Sequence, residues 1–230
     1  MVCEKMASYG FSRLLYAYTR FNVGSRLSDP LDSLILSSHS AEYMEGYIEN
    51  GHYTHGPMLR WLLENTGACS WSWMSELALE DTFTIGEKNA VEFNRSMGVV
   101  AGYTIGFRSD SPRNRGGIGL TADEGISQDK ADEIWARSGR EILAMNNMAH
   151  LKIISLPYSS ARRALTDRQR EVLEWVSEGK TMQDIATIMG LTSATIEKHL
   201  RLARESLDVD TTAQAVLKAS FQSQIFVVKS

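Results

Sequence analysis

The 230-residue sequence contains few cysteines, and this scarcity limits the kinds of fold and site that it can form. Its two cysteines, Cys3 and Cys69, are far apart, and neither belongs to a CxxC pair. A disulfide framework and a zinc site built from cysteines are therefore excluded. Because this cysteine content suits a reducing compartment, we expect a cytoplasmic protein.

Long apolar runs are also missing from the sequence. No stretch approaches the roughly 18 uncharged apolar residues of a membrane-spanning helix. The first residues carry charges and lack an apolar core of signal-peptide length. We therefore expect no contact with a membrane and no secretory signal.

The chain has no excess of positive charge, since 24 Lys and Arg oppose 28 Asp and Glu for a net charge of −4. DNA-binding domains usually carry excess positive charge, so this total argues against a nucleic-acid partner. The acidity lies in the first part of the chain, however, because residues 161–230 hold 10 Lys and Arg against 9 Asp and Glu. The charge of each part therefore has to be judged separately.

A short polar segment that contains Pro157 separates two helical patterns and predicts an interdomain linker over residues 157–163. We predict one domain over residues 1–156 and a second over residues 164–230. The first domain combines strand and helix patterns, which predict an α+β fold, an α-β-α sandwich with helices flanking a sheet. The strand patterns cover 11–21, 33–38, 99–107 and 117–122, and the helix patterns cover 41–49, 57–63, 84–97 and 127–154.

The second domain is predicted to be all-α, with four helices. Threonines stand at the expected helix starts, and Gly179 and Gly190 stand at two of the ends. A tight connection, residues 190–193, joins the second and third helices. This order is typical of a helix-turn-helix.

The third of these helices has a spacing that predicts one buried and one exposed side. Its apolar stripe consists of Ile196, Leu200, Ala203 and Leu207. The polar side chains are candidates for base contacts or phosphate contacts, with Thr181 as a further phosphate ligand. These candidates are Thr195, Glu197, Lys198, Arg201 and Arg204. An ordinary solvated helix remains the alternative at this point, because the domain is barely basic.

Three segments at fixed spacing, residues 165–173, 179–186 and 195–200, distinguish the two interpretations. With the residues between them, they make the region 165–217 resemble the LuxR-type helix-turn-helix, which implies a DNA-binding function. Gln169 departs from the family pattern, which often has Glu there. Glu197 also departs, because relatives often place a DNA-contacting basic residue at its position. Arg201 is therefore the stronger candidate for a base contact.

The first domain distinguishes among the kinds of protein that carry such a module. It lacks the acidic layout of a phosphorylated receiver, and the sequence lacks the phosphate-binding motif GxxxxGK[ST]. Nearly the whole chain instead resembles the LuxR-family regulators with an autoinducer-binding domain, which bind acyl-homoserine lactones in quorum sensing. The resemblance implies a transcriptional regulator, and no nucleophile motif or convincing carboxylate pair suggests an enzyme.

The family pattern assigns candidate ligand-binding residues. It runs W-x-x-x-Y, then D-P, then a tryptophan, then a glycine before a strand. The residues that take these positions are Tyr43 and Tyr47, Gly56 and Pro57, Trp73, and Gly98. Gly119 stands where relatives often have a hydroxyl, and the further lining candidates are Met58, Leu59, Trp61 and Trp71.

Two substitutions in this pattern change the expected chemistry. The family aromatic donates to the lactone carbonyl, which the Tyr43 hydroxyl can also do. The family aspartate accepts from the ligand amide, which Gly56 cannot do, and an unpaired buried amide costs about 1–3 kcal/mol. Either His55 or a water replaces the acceptor in an altered lactone pose, or the ligand is a different small molecule or absent. In the first case, restoring Asp at position 56 is expected to increase the lactone response.

The resemblance also implies the partners. We expect double-stranded operator DNA, an acyl-homoserine lactone-like molecule and a second copy of the chain, with RNA polymerase as a candidate partner. The helix over residues 127–154 is the predicted dimer interface, since two-fold pairing suits a pseudo-palindromic DNA site. No cofactor is expected. No metal is expected either, because His52 and His55 lack a third ligand.

Overall fold

The computed structural model describes residues 2–19, 33–80, 82–109, 111, 114–156 and 164–226. The chain divides into two compact units, Met1–Ser155 and Leu156–Ser230. The predicted linker, residues 157–163, lies outside the described residues.

A five-stranded antiparallel sheet forms the centre of the first unit. Its strands follow the order β2-β1-β5-β4-β3. They are β1 (Arg13–Thr19), β2 (Ser33–Ser37), β3 (Gly67–Ser70), β4 (Gly102–Gly106) and β5 (Arg115–Thr121). The predicted pairing of β4 with β5 is present, with Thr104 opposite Gly119. Strand β3 was not predicted, because four residues without clear alternation give little signal.

One face of the sheet packs against a long helix, α6 (Gln128–Ser155 in the chain). The core on this face contains Ile118 and Leu120 of β5 together with Ile142 of the helix, all buried. The rings of Tyr103 and Trp135 stack with centroids 3.9 Å apart. A short unpredicted helix, α1 (Val2–Ala7), adds Met6 to the same core.

The opposite face of the sheet is covered by short helices. Residues of β5 point alternately to the two faces, so Gly117 and Gly119 face these helices. A Cβ on Gly117 would lie 2.6 Å from Leu62, which belongs to α3. The helices are α2 (Ala41–Met44, continued by a π-helical turn at Glu45–Glu49), α3 (Pro57–Glu64), α4 (Ser72–Leu79) and α5 (Ile85–Ser96), with a 3₁₀ turn at His52–His55. The predicted sandwich is thus confirmed, and α4 is an addition to it.

The second unit contains the four predicted helices, α7 (Asp167–Ser177), α8 (Met182–Met189), α9 (Ser193–Leu207) and α10 (Thr212–Phe221). A threonine caps the start of each helix, at positions 166, 181, 192 and 211. Gln169 keeps the reciprocal cap of α7, since its side chain accepts from the Thr166 amide at 2.8 Å. Gln169 therefore supplies the side-chain acceptor of the capping box at the start of α7.

The turn between α8 and α9 follows the predicted pattern. Gly190 ends α8 with φ of 63°, a left-handed conformation that favours glycine. The stripe predicted for α9 is buried, with at most 4% exposure at Ile196, Leu200, Ala203 and Leu207. It packs against Leu173 of α7 and Ile185 of α8 in one core. The helix-turn-helix expectation is confirmed.

Candidate ligand cavity and DNA-binding helix

A cavity of about 330 Å³ lies in the first unit, between the sheet and helices α2 to α5. Gly119 contributes to this space, because a Cβ there would meet nothing closer than 3.9 Å. Apolar side chains such as Ile35, Leu62 and Met74 form much of the wall. Size and lining match those of small-molecule sites in proteins.

Four rings, those of His39, Tyr43, Tyr47 and Phe93, form an aromatic stack, and the first three of them line the cavity. The centroids of His39 and Tyr43 are 4.3 Å apart, and those of Tyr43 and Tyr47 are 5.2 Å apart. The i, i+4 spacing of the tyrosines places them on one side of the α2 turn. The Tyr43 hydroxyl donates to Asn94 Oδ1 at 3.0 Å, which ties the stack to α5.

The aromatic stack is uncharged at neutral pH. Burial raises the pKa of Tyr43 far above its usual range, and it raises the pKa of Tyr47 to about 12. Burial and the neighbouring Arg13 charge lower the pKa of His39 to about 4. No Asp or Glu lines the cavity among the described residues. The aromatic stack therefore offers neutral hydrogen-bonding groups to a ligand.

The close approach of neighbouring atoms explains why position 56 is a glycine. Its φ of −64° and ψ of 125° suit any residue, so the backbone does not require glycine. A Cβ at this position would lie 2.7 Å from the Tyr47 hydroxyl oxygen and 3.3 Å from the Tyr53 carbonyl oxygen. The Tyr47 hydroxyl thus occupies the place where a side chain at position 56 would begin. His55 is exposed and does not line the cavity.

Six of the nine predicted ligand-binding residues line the cavity, and three do not. The six are Tyr43, Tyr47, Gly56, Pro57, Met58 and Gly119. The three predicted residues that lie outside the described lining are Trp61, Trp73 and Gly98. The additional candidates Leu59 and Trp71 also line the cavity.

Trp71 lines the cavity, whereas Trp73 does not. This residue is 8% exposed, and its indole Nε1 donates to Thr104 Oγ1 at 2.8 Å. The ring of Trp73, the predicted residue, instead lies beside the Arg60 guanidinium, with 5.7 Å between the guanidinium carbon and the ring centroid. Residues 71 and 73 stand at the start of α4, where a step of two residues turns a side chain to a different face.

Gly98 and Trp61 have other surroundings. Gly98 is exposed after the end of α5, where its φ of 67° favours glycine. Its carbonyl oxygen accepts from Arg13 Nη2 at 2.9 Å. Trp61 lies on α3 outside the cavity wall, whereas Leu59, Leu62 and Leu63 of the same helix line it.

Sequence reasoning missed several polar residues of the wall, namely Ser33, Asn94, Thr104 and Arg115. Thr104 could have been found, because it lies opposite Gly119 in the predicted hairpin and so shares its face. Ser33 and Arg115 depend on the pairing of β1 with both β2 and β5. That pairing is not visible in the local pattern.

Helix α9 presents its polar side chains unequally. Glu197, Lys198 and Arg201 are exposed, and Arg201 pairs with Glu205 at 2.5 Å. Arg204 is half-buried and donates from Nη2 to Glu197 Oε1 at 3.0 Å and from Nη1 to Thr212 Oγ1 at 2.9 Å. Arg204 thus joins α9 to α10, and the Glu197 carboxylate is its ion-pair partner on α9.

The two predicted phosphate-binding threonines are engaged in helix starts. The Thr181 hydroxyl donates to Asp184 Oδ2 at 2.6 Å, and this hydrogen bond helps to lower the pKa of Asp184. An ionised carboxylate at this helix start disfavours a phosphate. The Thr195 hydroxyl lies 2.9 Å from that of Thr192. Lys198 and Arg201 are therefore the exposed cations that α9 offers to DNA.

The described part of the chain contains neither a metal-binding cluster nor a membrane-spanning helix. No three His, Cys, Asp or Glu side chains there are grouped so that they could hold a metal ion. No helix there combines the length and apolar character needed to cross a bilayer.

Comparison with known proteins places both units. Residues 1–153 match the family described as "Autoinducer binding domain", and residues 163–219 match "Bacterial regulatory proteins, luxR family". The transcriptional activator protein ExpR of Dickeya dadantii is 25% identical over 227 residues, which cover 93% of this chain and 84% of ExpR. The HTH-type quorum sensing-dependent transcriptional regulator RpaR of Rhodopseudomonas palustris is 30% identical over 122 residues, or 53% of this chain and 47% of RpaR. The solved structure of SdiA, an Escherichia coli protein, in complex with octanoyl-rac-glycerol has a TM-score of 0.51 at 14% identity, covering 96% of this chain and 85% of that chain.

Proposed function

Since the chain belongs to the LuxR family of bacterial transcriptional regulators with an autoinducer-binding domain, we propose that it is a ligand-responsive regulator of the quorum-sensing type. In this proposal, a small amphiphile binds in the cavity of the first unit, and α9 of the second unit reads DNA. Proteins of this family are transcriptional regulators, so the proposal involves no catalysis.

The observation that carries the ligand proposal is the cavity itself. A space of about 330 Å³ with a mainly apolar wall is costly to leave in a core, since interiors are normally close-packed. The aromatic stack and Asn94 add neutral hydrogen-bonding groups at one end of the wall. An uncharged polar head with an apolar chain complements this lining.

Two classes of ligand head group fit the end of the cavity that carries the aromatic stack. In an acyl-homoserine lactone, the amide N–H would need an acceptor, and the Tyr47 hydroxyl beside Gly56 is placed to supply one. A head group without an amide needs no such acceptor, and the absence of a carboxylate from the described wall favours this second class. The glycerol ester named with SdiA belongs to that class.

We also propose that the protein acts as a homodimer through α6. Met148 and Leu151 are 71% and 63% exposed on this helix, three residues apart on one face. Pairing of two copies through a two-fold axis would present two α9 helices to a pseudo-palindromic site. Ligand burial would stabilise the folded first unit by mass action.

The ligand arm of the proposal is tested by thermal unfolding of the full chain with octanoyl-homoserine lactone and with octanoylglycerol. A rise in the first unit's unfolding temperature with either compound supports the proposal. A larger rise with octanoylglycerol selects the class without an amide. No rise with any member of a chain-length series for both heads contradicts it.

The DNA arm is tested by selecting duplexes from a random pool with the full-length protein. Arg201→Ala should weaken binding to the selected duplex by about 10-fold to 100-fold, since a base contact is worth about 1–3 kcal/mol. Arg168→Ala is the matched control, because Arg168 is an exposed arginine of α7 that pairs with Glu171. Equal affinity of both variants would overturn the assignment of α9 as the reading helix.

A further inference from the structure

The cavity has a second polar end, formed where three strands lie side by side. Thr19 of β1 is paired with Ser33 of β2 on one side and with Arg115 of β5 on the other. Residues opposite each other in a sheet share a face, so Ser33 and Arg115 point to the face that carries Gly117 and Gly119. Both Ser33 and Arg115 line the cavity.

The Ser33 hydroxyl lacks a partner at this end. The residue is 5% exposed, and its Oγ makes no hydrogen bond within the described part of the chain. A buried hydroxyl that has lost its water without gaining a partner is unfavourable, and a polar group bound beside it would remove this cost. Ser33 therefore points to a polar group that is bound there.

Arg115 gives this polar end its charge. Its Nη1 donates to the Asn114 carbonyl oxygen at 3.1 Å, and no carboxylate pairs with it among the described residues. Since no Asp or Glu lines the described cavity wall, the guanidinium charge is not neutralised from within the cavity. A guanidinium only donates hydrogen bonds, so the group that it would bind must be an acceptor.

This end is distant from the aromatic stack. His39 of the stack lies against Thr121, with Nε2 and Oγ1 3.4 Å apart, and Thr121 ends the strand that Arg115 begins. Six residues of β-strand span about 20 Å. Between the two ends the wall is mainly apolar, with Ala17, Ile35 and Leu62.

We infer that Ser33 and Arg115 form a subsite for a carboxylate, or a similar anionic acceptor, at the chain end of the ligand. The ligand is then polar at both ends, with an uncharged head at the aromatic stack and an acidic group at the far end. Arg–carboxylate contacts are among the stronger hydrogen bonds in proteins, and the Ser33 hydroxyl adds a donor. This inference rests on the proposed function, because it requires a chain-bearing ligand in the cavity.

The test compares three chain ends on one head. Octanoyl-homoserine lactone, its ω-carboxyl analogue and its ω-amino analogue are titrated into the full-length protein by calorimetry, each also in longer chain lengths up to dodecanoyl. The ω-carboxyl series should contain a compound that binds about tenfold or more tightly than its methyl-ended match. The ω-amino series should bind more weakly than either, because Arg115 repels a cation.

Variants then assign the preference to residues. Arg115→Gln should remove the preference for the carboxyl end, so that the ratio of the affinities for the carboxyl-ended and methyl-ended compounds falls to about one. Ser33→Ala should reduce the preference. Arg108→Gln is the matched control, because Arg108 is exposed and lies outside the cavity wall, and it should keep the preference.

Each outcome decides between the two proposals. Equal binding of carboxyl-ended and amino-ended chains would show an end open to solvent and would overturn the subsite alone, as would a preference that survives Arg115→Gln. Tight binding of the methyl-ended chain with rejection of the carboxyl-ended chain would also overturn the subsite while leaving the proposed function intact. Failure of all three series to bind would overturn the subsite, and failure of the octanoylglycerol series as well would overturn the proposed function.

Discussion

Gly56→Ala tests the close packing of Tyr47 against position 56. The added Cβ would lie 2.7 Å from the Tyr47 hydroxyl oxygen, well inside contact distance. The Tyr47 ring cannot move freely, because it stacks on Tyr43 with centroids 5.2 Å apart. Forcing one extra carbon into a packed site costs about 1–3 kcal/mol, so we expect that loss of unfolding free energy.

Urea unfolding of the full chain, followed by Trp fluorescence, measures this loss. Tyr47→Phe removes the hydroxyl, so the double variant Tyr47→Phe/Gly56→Ala should recover about 1 kcal/mol or more relative to the sum of the single changes. Gly119→Ala is the matched control, since its Cβ meets nothing within 3.9 Å and should cost less than about 0.5 kcal/mol. Strictly additive effects, or a neutral Gly56→Ala, would refute the steric account of Gly56.

The same geometry changes the expectation for aspartate at position 56. The single change Gly56→Asp brings the same Cβ into contact with Tyr47, so it should disturb the aromatic stack before it can restore a lactone acceptor. We therefore expect a gain in lactone response only when Tyr47 is shortened to Phe in the same chain. A calorimetric titration of the single and double variants measures the difference.

Three further predictions concern other contacts. Because Trp71 lines the cavity, ligand binding should change its fluorescence. Trp71→Phe should remove the ligand-induced change, and Trp73→Phe should retain it. The reverse result would favour Trp73 as the tryptophan beside the ligand. Glu197→Gln should weaken the ion pair with Arg204 and lower the free energy of unfolding by about 0.5–1 kcal/mol, as measured by urea unfolding. A variant that changes DNA affinity without changing stability would contradict this stabilising role of Glu197. Because the pKa of His39 is lowered from 6.5 to about 4, its neutral form stabilises the fold above 6.5 and this stability is lost as the pH falls to about 4. Between pH 6.5 and about pH 4, His39→Gln should therefore lose less unfolding free energy than the unchanged chain, as measured by urea unfolding at each pH. An identical loss in both chains would contradict the lowered pKa of His39.

Most of the fold was predictable from local patterns in the sequence. The stripe Ile196, Leu200, Ala203 and Leu207 was predictable, because helical spacing alone determines which side of α9 is buried. The β4–β5 hairpin was likewise predictable from two neighbouring apolar runs. Strand β3 and helix α4 were missed because each is short, and their positions depend on packing against elements distant in sequence.

The cavity was predictable in outline and not in detail. Spacing placed Tyr43 and Tyr47 together, since a helix turn determines that relation. It could not choose between Trp71 and Trp73, because the start of α4 sets which indole turns inward. The space beside Gly56 depends on a three-dimensional contact with Tyr47, and no one-dimensional pattern contains that contact.

The most direct test of the central claim is native mass spectrometry of the full-length protein, followed by release and identification of any bound molecule. The account predicts one small amphiphile per chain, and its loss in Gly119→Leu, because a Cβ there meets nothing closer than 3.9 Å and the added side chain would occupy cavity space. The variant should still unfold cooperatively in urea. An unliganded chain that also fails to take up either octanoyl compound, or a ligand retained unchanged in Gly119→Leu, would contradict the claim.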